Sequence, residues 1–164
     1  MEYFDISYAN DNLPSLALRL GYKKIFTIGK EVFLVEKESE IKQKSIIYSK
    51  DAPKLLKQSK VFAVVADKIN EDLIQKIKGQ EKILIIDASA IIRAPSEPQA
   101  VQNIKKARKI VSYALRSRVK LAIASFAKDA HGLISAEQMI ELAKFLGANE
   151  GHAKAMLKQL GADQ

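Results

Sequence analysis

The chain alternates short, nearly continuous apolar runs with longer stretches in which apolar residues recur every three or four positions. The runs at 3–9, 25–28, 32–35, 45–49, 62–66, 83–86 and 119–125 read as strands. The periodic stretches at 13–20, 52–57, 71–78, 99–118, 136–146 and 150–160 read as helices. End signals accompany them. Asn10, Asp11 and Asn12 offer caps for 13–20 and Gly21 closes it, while Asp51 and Pro53 open 52–57. Gly79 ends 71–78, and Ser135 with Gln138 at capping-box spacing starts 136–146, which Gly147 closes. Residues 88–93 read as irregular. The run 32–35 begins too soon after 28 for a crossover helix, so it is either a hairpin partner or the same strand continued past a kink at Gly29.

Strands that are apolar throughout, separated by capped helices, predict an α/β fold with a parallel sheet covered by helices. About six or seven strands suit either a small closed barrel or a doubly wound open sheet, and the pattern does not choose between them. The whole chain, 1–164, reads as one domain. In both architectures functional groups gather where strands end, here Asp5 to Asn10, Gly29-Lys30, Asp67-Lys68, Asp87 to Arg93 and Ser125 to His131.

Charge sharpens this picture. The formal net charge is +8, and the segment 98–128 holds eight Lys and Arg residues with no Asp or Glu, so the rest of the chain balances at 19 of each sign. On a helix over 99–118, Val101, Ile104, Ala107, Val111, Ala114 and Leu115 form the expected core face. At roughly 100° per residue, Lys105, Lys109 and Arg116 fall within a sector of about 40° on the other side. A solvated helix face ordinarily mixes signs, because like charges four residues apart repel, and no acid intervenes here. The face is therefore read as a phosphate-binding surface, with Lys106, Arg93 and Lys128 as further candidate contacts and Lys30 and Lys68 as others on the strand-end loops. A pI near 9.5 favours polyanionic partners. No basic amphipathic end helix points to a membrane surface, so nucleic acid is the expected partner. Cysteine is absent, and the amino terminus has no signal-peptide pattern, so the expected compartment is the cytoplasm.

Catalytic patterns do not emerge. His131 and His152 form no metal-ligand pair, and there is no Ser-His-Asp arrangement, Walker loop or G-x-G-x-x-G. Asp5, Asp67 and Asp87 are each expected at or near a strand's carboxyl end, where three carboxylates could hold a divalent ion or act as acid and base. The plainer reading is that each caps a following helix or pairs with a lysine. Tyr3, Tyr22, Tyr48 and Tyr113 are scattered without a base-stacking motif. Backbone recognition by cations is what remains.

One family matches these features in order. From Lys82 onward the chain has Ile83-Leu-Ile-Ile-Asp87, then Ile91-Ile-Arg93, the basic helix, Leu121-Ala-Ile-Ala-Ser125 with Ala127, Ser135-Ala-Glu137, and a helix ending Phe145-Leu-Gly147. Near the amino terminus it has Phe4-Asp5 and Leu18-Arg-Leu-Gly-Tyr22. In these features it resembles archaeal ribonuclease P protein component 3, the counterpart of the thirty-kilodalton protein subunit of the eukaryotic enzyme; residues 31–80 fit loosely. The resemblance implies a TIM-barrel-like fold and a non-catalytic subunit of the ribonucleoprotein that removes 5′ leaders from precursor tRNA. It implies that the protein binds no cofactor and that Mg²⁺ serves the partner RNA. The implied partners are the ribonuclease P RNA, a small ferredoxin-like subunit, the other proteins of the complex, and precursor tRNA as its substrate. Asp5, Arg93 and Ser125 correspond to family positions with structural or RNA-facing roles. The chain departs from the pattern in being shorter by about one βα unit and in having Ile134, where an arginine is usual, before Ser135. Two other readings stand beside this one. A metal-dependent hydrolase of the polymerase-and-histidinol-phosphatase (PHP) barrel type needs a His-x-His after strand one, where this chain has Asp5-Ile-Ser-Tyr-Ala9. An α/β protein-interaction module would use the basic helix to hold an acidic protein.

Overall fold

In the computed structural model, residues 2–10, 12–41, 44–48, 52–65 and 70–162 are described. Asp11, Ser49, Asp51, Ala66, Asp67 and Lys68, which carry parts of the expected caps, strand ends and strand-end charges, lie outside the described residues.

Seven strands are present among the described residues: β1 Phe4–Tyr8, β2 Lys24–Ile28, β3 Phe33–Val35, β4 Ser45–Ile47, β5 Val61–Val65, β6 Ile83–Asp87 and β7 Leu121–Ala124. The helices are α1 Leu13–Arg19, α2 Ala52–Leu55, α3 Glu71–Gly79, α4 Ser89–Ile92, α5 Glu97–Ser117, α6 Ala136–Phe145 and α7 Glu150–Lys158, and a 3₁₀ turn, Gln159–Gly161, follows α7. All named pairings are parallel, β1 with β2 and β3 through β7 in sequence order. This is the short parallel βα fold that the apolar runs predict.

Two seams join the sheets into a ring. One is the parallel bridge Ile28↔Val32, reinforced by Gly29 N–H donating to the Val32 carbonyl at 2.8 Å. A hairpin would make that bridge antiparallel and a continued strand would make none, so neither expectation holds: β3 runs beside the end of β2 in the same direction, after a turn in which Gly29 takes φ +87°. The other seam is the bridge Ser7↔Ala127, where Tyr8 N–H donates to the Ala127 carbonyl at 2.9 Å. Alternation along the strands then sorts the core into two layers. Ile6, Phe26, Ile46, Ala63, Ile85, Ala122 and Ala124 fill the interior. Ile25, Ile47, Val64, Leu84, Ile86 and Ile123 face outward under the helices. Leu160 enters the interior cluster and Gly161 lies against the Phe4 ring, so the last 3₁₀ turn closes the amino-terminal end beneath β1 and β7.

Several local expectations are corrected. Residues 89–92 are helical because Asp87 Oδ1 accepts from Ser89 N–H at 2.8 Å and from the Ser89 hydroxyl at 2.6 Å, which turns the chain as it leaves β6. Asn12 makes no side-chain cap on α1. Gly79 lies inside the last turn of α3, which closes at Gln80, and Glu81 takes the positive φ of 53°. The basic helix begins at Glu97, two residues early, because Ser96 caps it and Pro98 suits its first turn. Its buried residues are Ala107, Ile110, Val111 and Ala114, with Ile104 and Leu115 packed beside them, while Val101 is 43% exposed. The core face is thus rotated by about 50° from the expected one at roughly 100° per residue. The cause is polar: Gln99 bonds Asn103 at 2.9 Å, and Asn103 donates to the Ala90 carbonyl, so the first turns face α4 and carry Val101 outward. Ile110→Ala is accordingly expected to cost about 2–5 kcal/mol and Val101→Ala less than about 0.5 in urea unfolding. Equal costs would restore the register expected from sequence.

Candidate nucleic-acid interface

Helix α5 is fixed at two points along its first half and middle. The Asn103 contact ties its start to α4, and Arg108, farther along, donates from Nε and Nη2 to the Phe145 carbonyl of α6 at 3.1 and 3.0 Å while lying 4.6 Å from the centre of the Phe145 ring. Lys105, Lys109 and Arg116 are exposed, diametrically opposite the buried residues. Rotation of the core face towards Ile110 leaves these three cations more squarely in solvent than the expected register did. Glu97, in the first turn, is the single acid of the helix. Lys109 lies 5.8 Å from the Tyr113 ring, which restrains its stem without neutralising its charge. Lys106 is exposed on the flank, about a quarter-turn from the core face by helical geometry. Arg108, which the charge count included, is a packing residue.

The carboxyl ends of the strands carry a different arrangement. Arg93 forms an ion pair with Asp129 at 2.7 Å, and its guanidinium fills the space where any side chain at Gly132 would stand. Lys128 lies 5.4 Å from the Tyr8 ring. Both cations are engaged within the fold, away from the outer face of α5. The structure therefore brings Lys105, Lys109 and Arg116 together on one face and leaves Arg93 and Lys128 on another.

Of the three carboxylates named above, Asp5 and Asp87 are among the described residues, and both are held by hydrogen bonds within the fold; Asp5 is the second residue of β1, not at its carboxyl end as expected. Asp5 is fully buried on the outward side of β1. Its Oδ1 accepts from Ile6 N–H at 2.8 Å and Ser125 N–H at 2.7 Å, and its Oδ2 accepts from the Ser125 hydroxyl at 2.6 Å. Burial pushes its pKa up to about 6, and the Ser125 and Ile6 bonds oppose that rise. The Tyr22 hydroxyl, which donates to the Ile134 carbonyl at 3.0 Å, is pushed up by burial and by the nearby Asp5 charge. Asp87 is raised by burial, against the bonds from Ser89, Ala90 and Tyr48. Asp5 and Asp87 serve different places, one the β1–β7 seam and the other the start of α4. Among the described residues no group of three or more His, Cys, Asp and Glu side chains could hold a metal ion. His131 and His152 are both exposed and in separate elements.

Sequence reading missed a further cationic feature. Lys23, Lys44, Lys60, Lys82 and Lys120 each stand immediately before a strand, respectively β2, β4, β5, β6 and β7. The strand ring brings them to its amino-terminal rim. The available signal was a lysine immediately ahead of the apolar runs at 25, 45 and 83 and within two residues of the start of those at 62 and 119.

No family model matches the chain, and no curated protein matches it. Among solved structures, it is similar to a chain of a "cryo-EM structure of archaeal Ribonuclease P with mature tRNA", with a TM-score of 0.69 at 11% sequence identity. The match covers 97% of this chain and 79% of that one. At this identity the likeness is one of fold. Among the described residues no helix is long and apolar enough to cross a membrane.

Proposed function

We propose that this chain is a protein subunit of an archaeal-type ribonuclease P, the component 3 type, and that it supports the catalytic RNA without performing chemistry itself. The observation that carries the reading is the whole-chain likeness in fold to a chain of that ribonucleoprotein. The resemblance of the residue pattern supplies the component 3 type, and the acid-free outer face of α5 beyond its first turn suits a polyanion. In this reading Lys105, Lys109 and Arg116 neutralise phosphates of the ribonuclease P RNA, with Lys106 beside them and Arg93 and Lys128 as secondary contacts. Such contacts fix position and carry no sequence information directly. Mg²⁺ belongs to the RNA, precursor tRNA is the substrate of the assembly, and a small ferredoxin-like protein is the expected neighbour within it.

Reconstitution tests the proposal. The chain alone, with labelled precursor tRNA and Mg²⁺, is expected to leave the substrate intact. Together with the small ferredoxin-like subunit, it is expected to bind ribonuclease P RNA and to raise RNA-catalysed 5′ cleavage at low Mg²⁺. Failure to bind either partner, with no change in the RNA's activity, would overturn the assignment. Specific cleavage by the isolated chain that disappears on Asp87→Asn would instead establish a hydrolase.

A further inference from the structure

An open groove of about 540 Å³ runs between α5 and the end of α6, with Arg108, Ser112, Leu115 and Arg116 on one wall and Phe145 and Leu146 on the other. Sites that hold small ligands span about 300–1,000 Å³. Leu146 is buried and Leu115 half-buried, so the floor is apolar, whereas Ser112 and both arginines are exposed. Among the described residues no acid lines the groove.

Phenylalanine is among the residue types most often buried, yet Phe145 is 53% exposed. The exposed ring is not loose. Arg108 donates from Nε and Nη2 to the Phe145 carbonyl and sets its guanidinium over the ring, 4.6 Å from the centre, so that backbone and side chain are held by one partner. The same guanidinium covers a carbonyl at the end of α6, which would otherwise oppose an anion nearby. Glu141, one turn earlier on α6, is paired with Lys144 at 2.8 Å, and Glu150 at the start of α7 is paired with Lys154. Both acids have lysine partners.

At roughly 100° per residue, Ser112 lies about 20° from Lys105 and about 40° from Arg116 around α5, so this wall of the groove borders the cationic face directly. A rigid aromatic platform adjoins a row of charges. Single-stranded RNA suits that pairing, because its unpaired bases stack on aromatic and guanidinium planes while cations follow its backbone. A protein ligand would have to supply an apolar anchor and a run of acids together, whereas every nucleotide carries a flat base and a phosphate.

We infer that an unpaired base of the bound RNA enters the α5–α6 groove and stacks on Phe145, with the neighbouring phosphates on Lys105, Lys109 and Arg116. The inference rests on the RNA-binding reading above and deepens it from a charged face to a site for single-stranded RNA. Arg108 is a positioning residue in this site, since it fixes the ring on which the base rests.

The test uses the full chain and an in-vitro-transcribed archaeal ribonuclease P RNA, with binding followed by fluorescence anisotropy. Phe145→Ala is expected to weaken binding roughly five- to a hundredfold, the scale of one base–aromatic stack. The slope of log K against log salt should stay unchanged, because no charge is lost. Phe145→Trp is expected to keep the affinity of the wild type. The chain has no tryptophan of its own, so the new indole reports alone, and a base stacked on it quenches its emission. Undiminished affinity in Phe145→Ala, in an experiment where Lys105→Ala/Lys109→Ala/Arg116→Ala flattens the slope, would overturn the groove and leave the RNA reading intact. A wild-type chain with no salt-dependent RNA binding would overturn both. Loss of binding to the small ferredoxin-like subunit in Phe145→Ala, with RNA binding unchanged, would assign the groove to that protein and sink the inference. If the alanine variant does not fold, the tryptophan variant decides. Quenching by RNA is expected, and emission that bound RNA leaves unchanged would overturn the proposal.

Discussion

Alanine at Lys105, Lys109 and Arg116 together is expected to weaken RNA binding roughly a hundredfold near 0.15 M salt, because each released phosphate contact is worth about fivefold there on the duplex scale. The loss should be similar across RNA sequences, since phosphate contacts carry no base information. The slope of log K against log salt should fall by about two to three units. Folding is expected to survive. The three side chains are exposed opposite Ala107, Ile110, Val111 and Ala114, and exposed substitutions away from caps and core stay within about 0.5 kcal/mol each. Removal of like charges from one helix face relieves some repulsion as well. Anisotropy titrations at four salt concentrations, with circular dichroism as the control for folding, measure both quantities. An undiminished slope in a folded variant would show that the α5 face does not meet the RNA.

The charge on that face was legible from the sequence because it is local. A helix presents residues 105, 109 and 116 together whatever surrounds it, so periodicity alone places them. The core face was less legible. Val101 fits an apolar pattern, yet the first turns of α5 answer to α4 through Gln99 and Asn103, a tertiary contact between polar groups. The strands were readable for a related reason. A strand covered on both sides is apolar at consecutive positions, as in Ile83 to Ile86, and a run of that kind stands out from any helical repeat.

What the sequence left open depends on contacts between distant residues. Choosing between an open sheet and a ring requires the two seams, and each is a single bridge. Neither Ser7 nor Ala127 announces a partner 120 positions away. The rim lysines were hidden by the same arithmetic that exposed α5. Outside 98–128 the acids balance the bases in number, so counting along the chain gives no excess. The ring brings Lys23, Lys44, Lys60, Lys82 and Lys120 to one end, although they lie far apart along the chain.

Alanine at Asp5 is expected to remove most of the stability of the domain. Within each sheet, neighbouring strands share ladders, five register pairs for β1 with β2 and four for β6 with β7. The β1–β7 seam has one bridge, and the Asp5 carboxylate stands in for the missing ladder by accepting from Ile6 N–H, Ser125 N–H and the Ser125 hydroxyl. Truncation orphans three buried donors at about 1–3 kcal/mol each, a total comparable with the 5–15 kcal/mol of a typical domain. Asp5→Asn should fold, because its carbonyl still accepts from both backbone donors and only the bond to the Ser125 hydroxyl is forfeited, at about 1 kcal/mol. The same pair of proteins isolates the charge. The folded pKa of about 6 lies above the unfolded value near 3.8, so between these values the folded chain holds a proton that the unfolded chain has released. Stability from this group is therefore greatest below about pH 4 and declines as pH rises to 6, by about 3 kcal/mol in all. In urea unfolding from pH 4 to pH 7, the stability of wild type relative to Asp5→Asn is expected to fall by that amount, the other carboxylates cancelling in the difference. A difference that stays constant with pH would mean that the three donors keep Asp5 ionised throughout, and that the seam is held by a permanent buried charge.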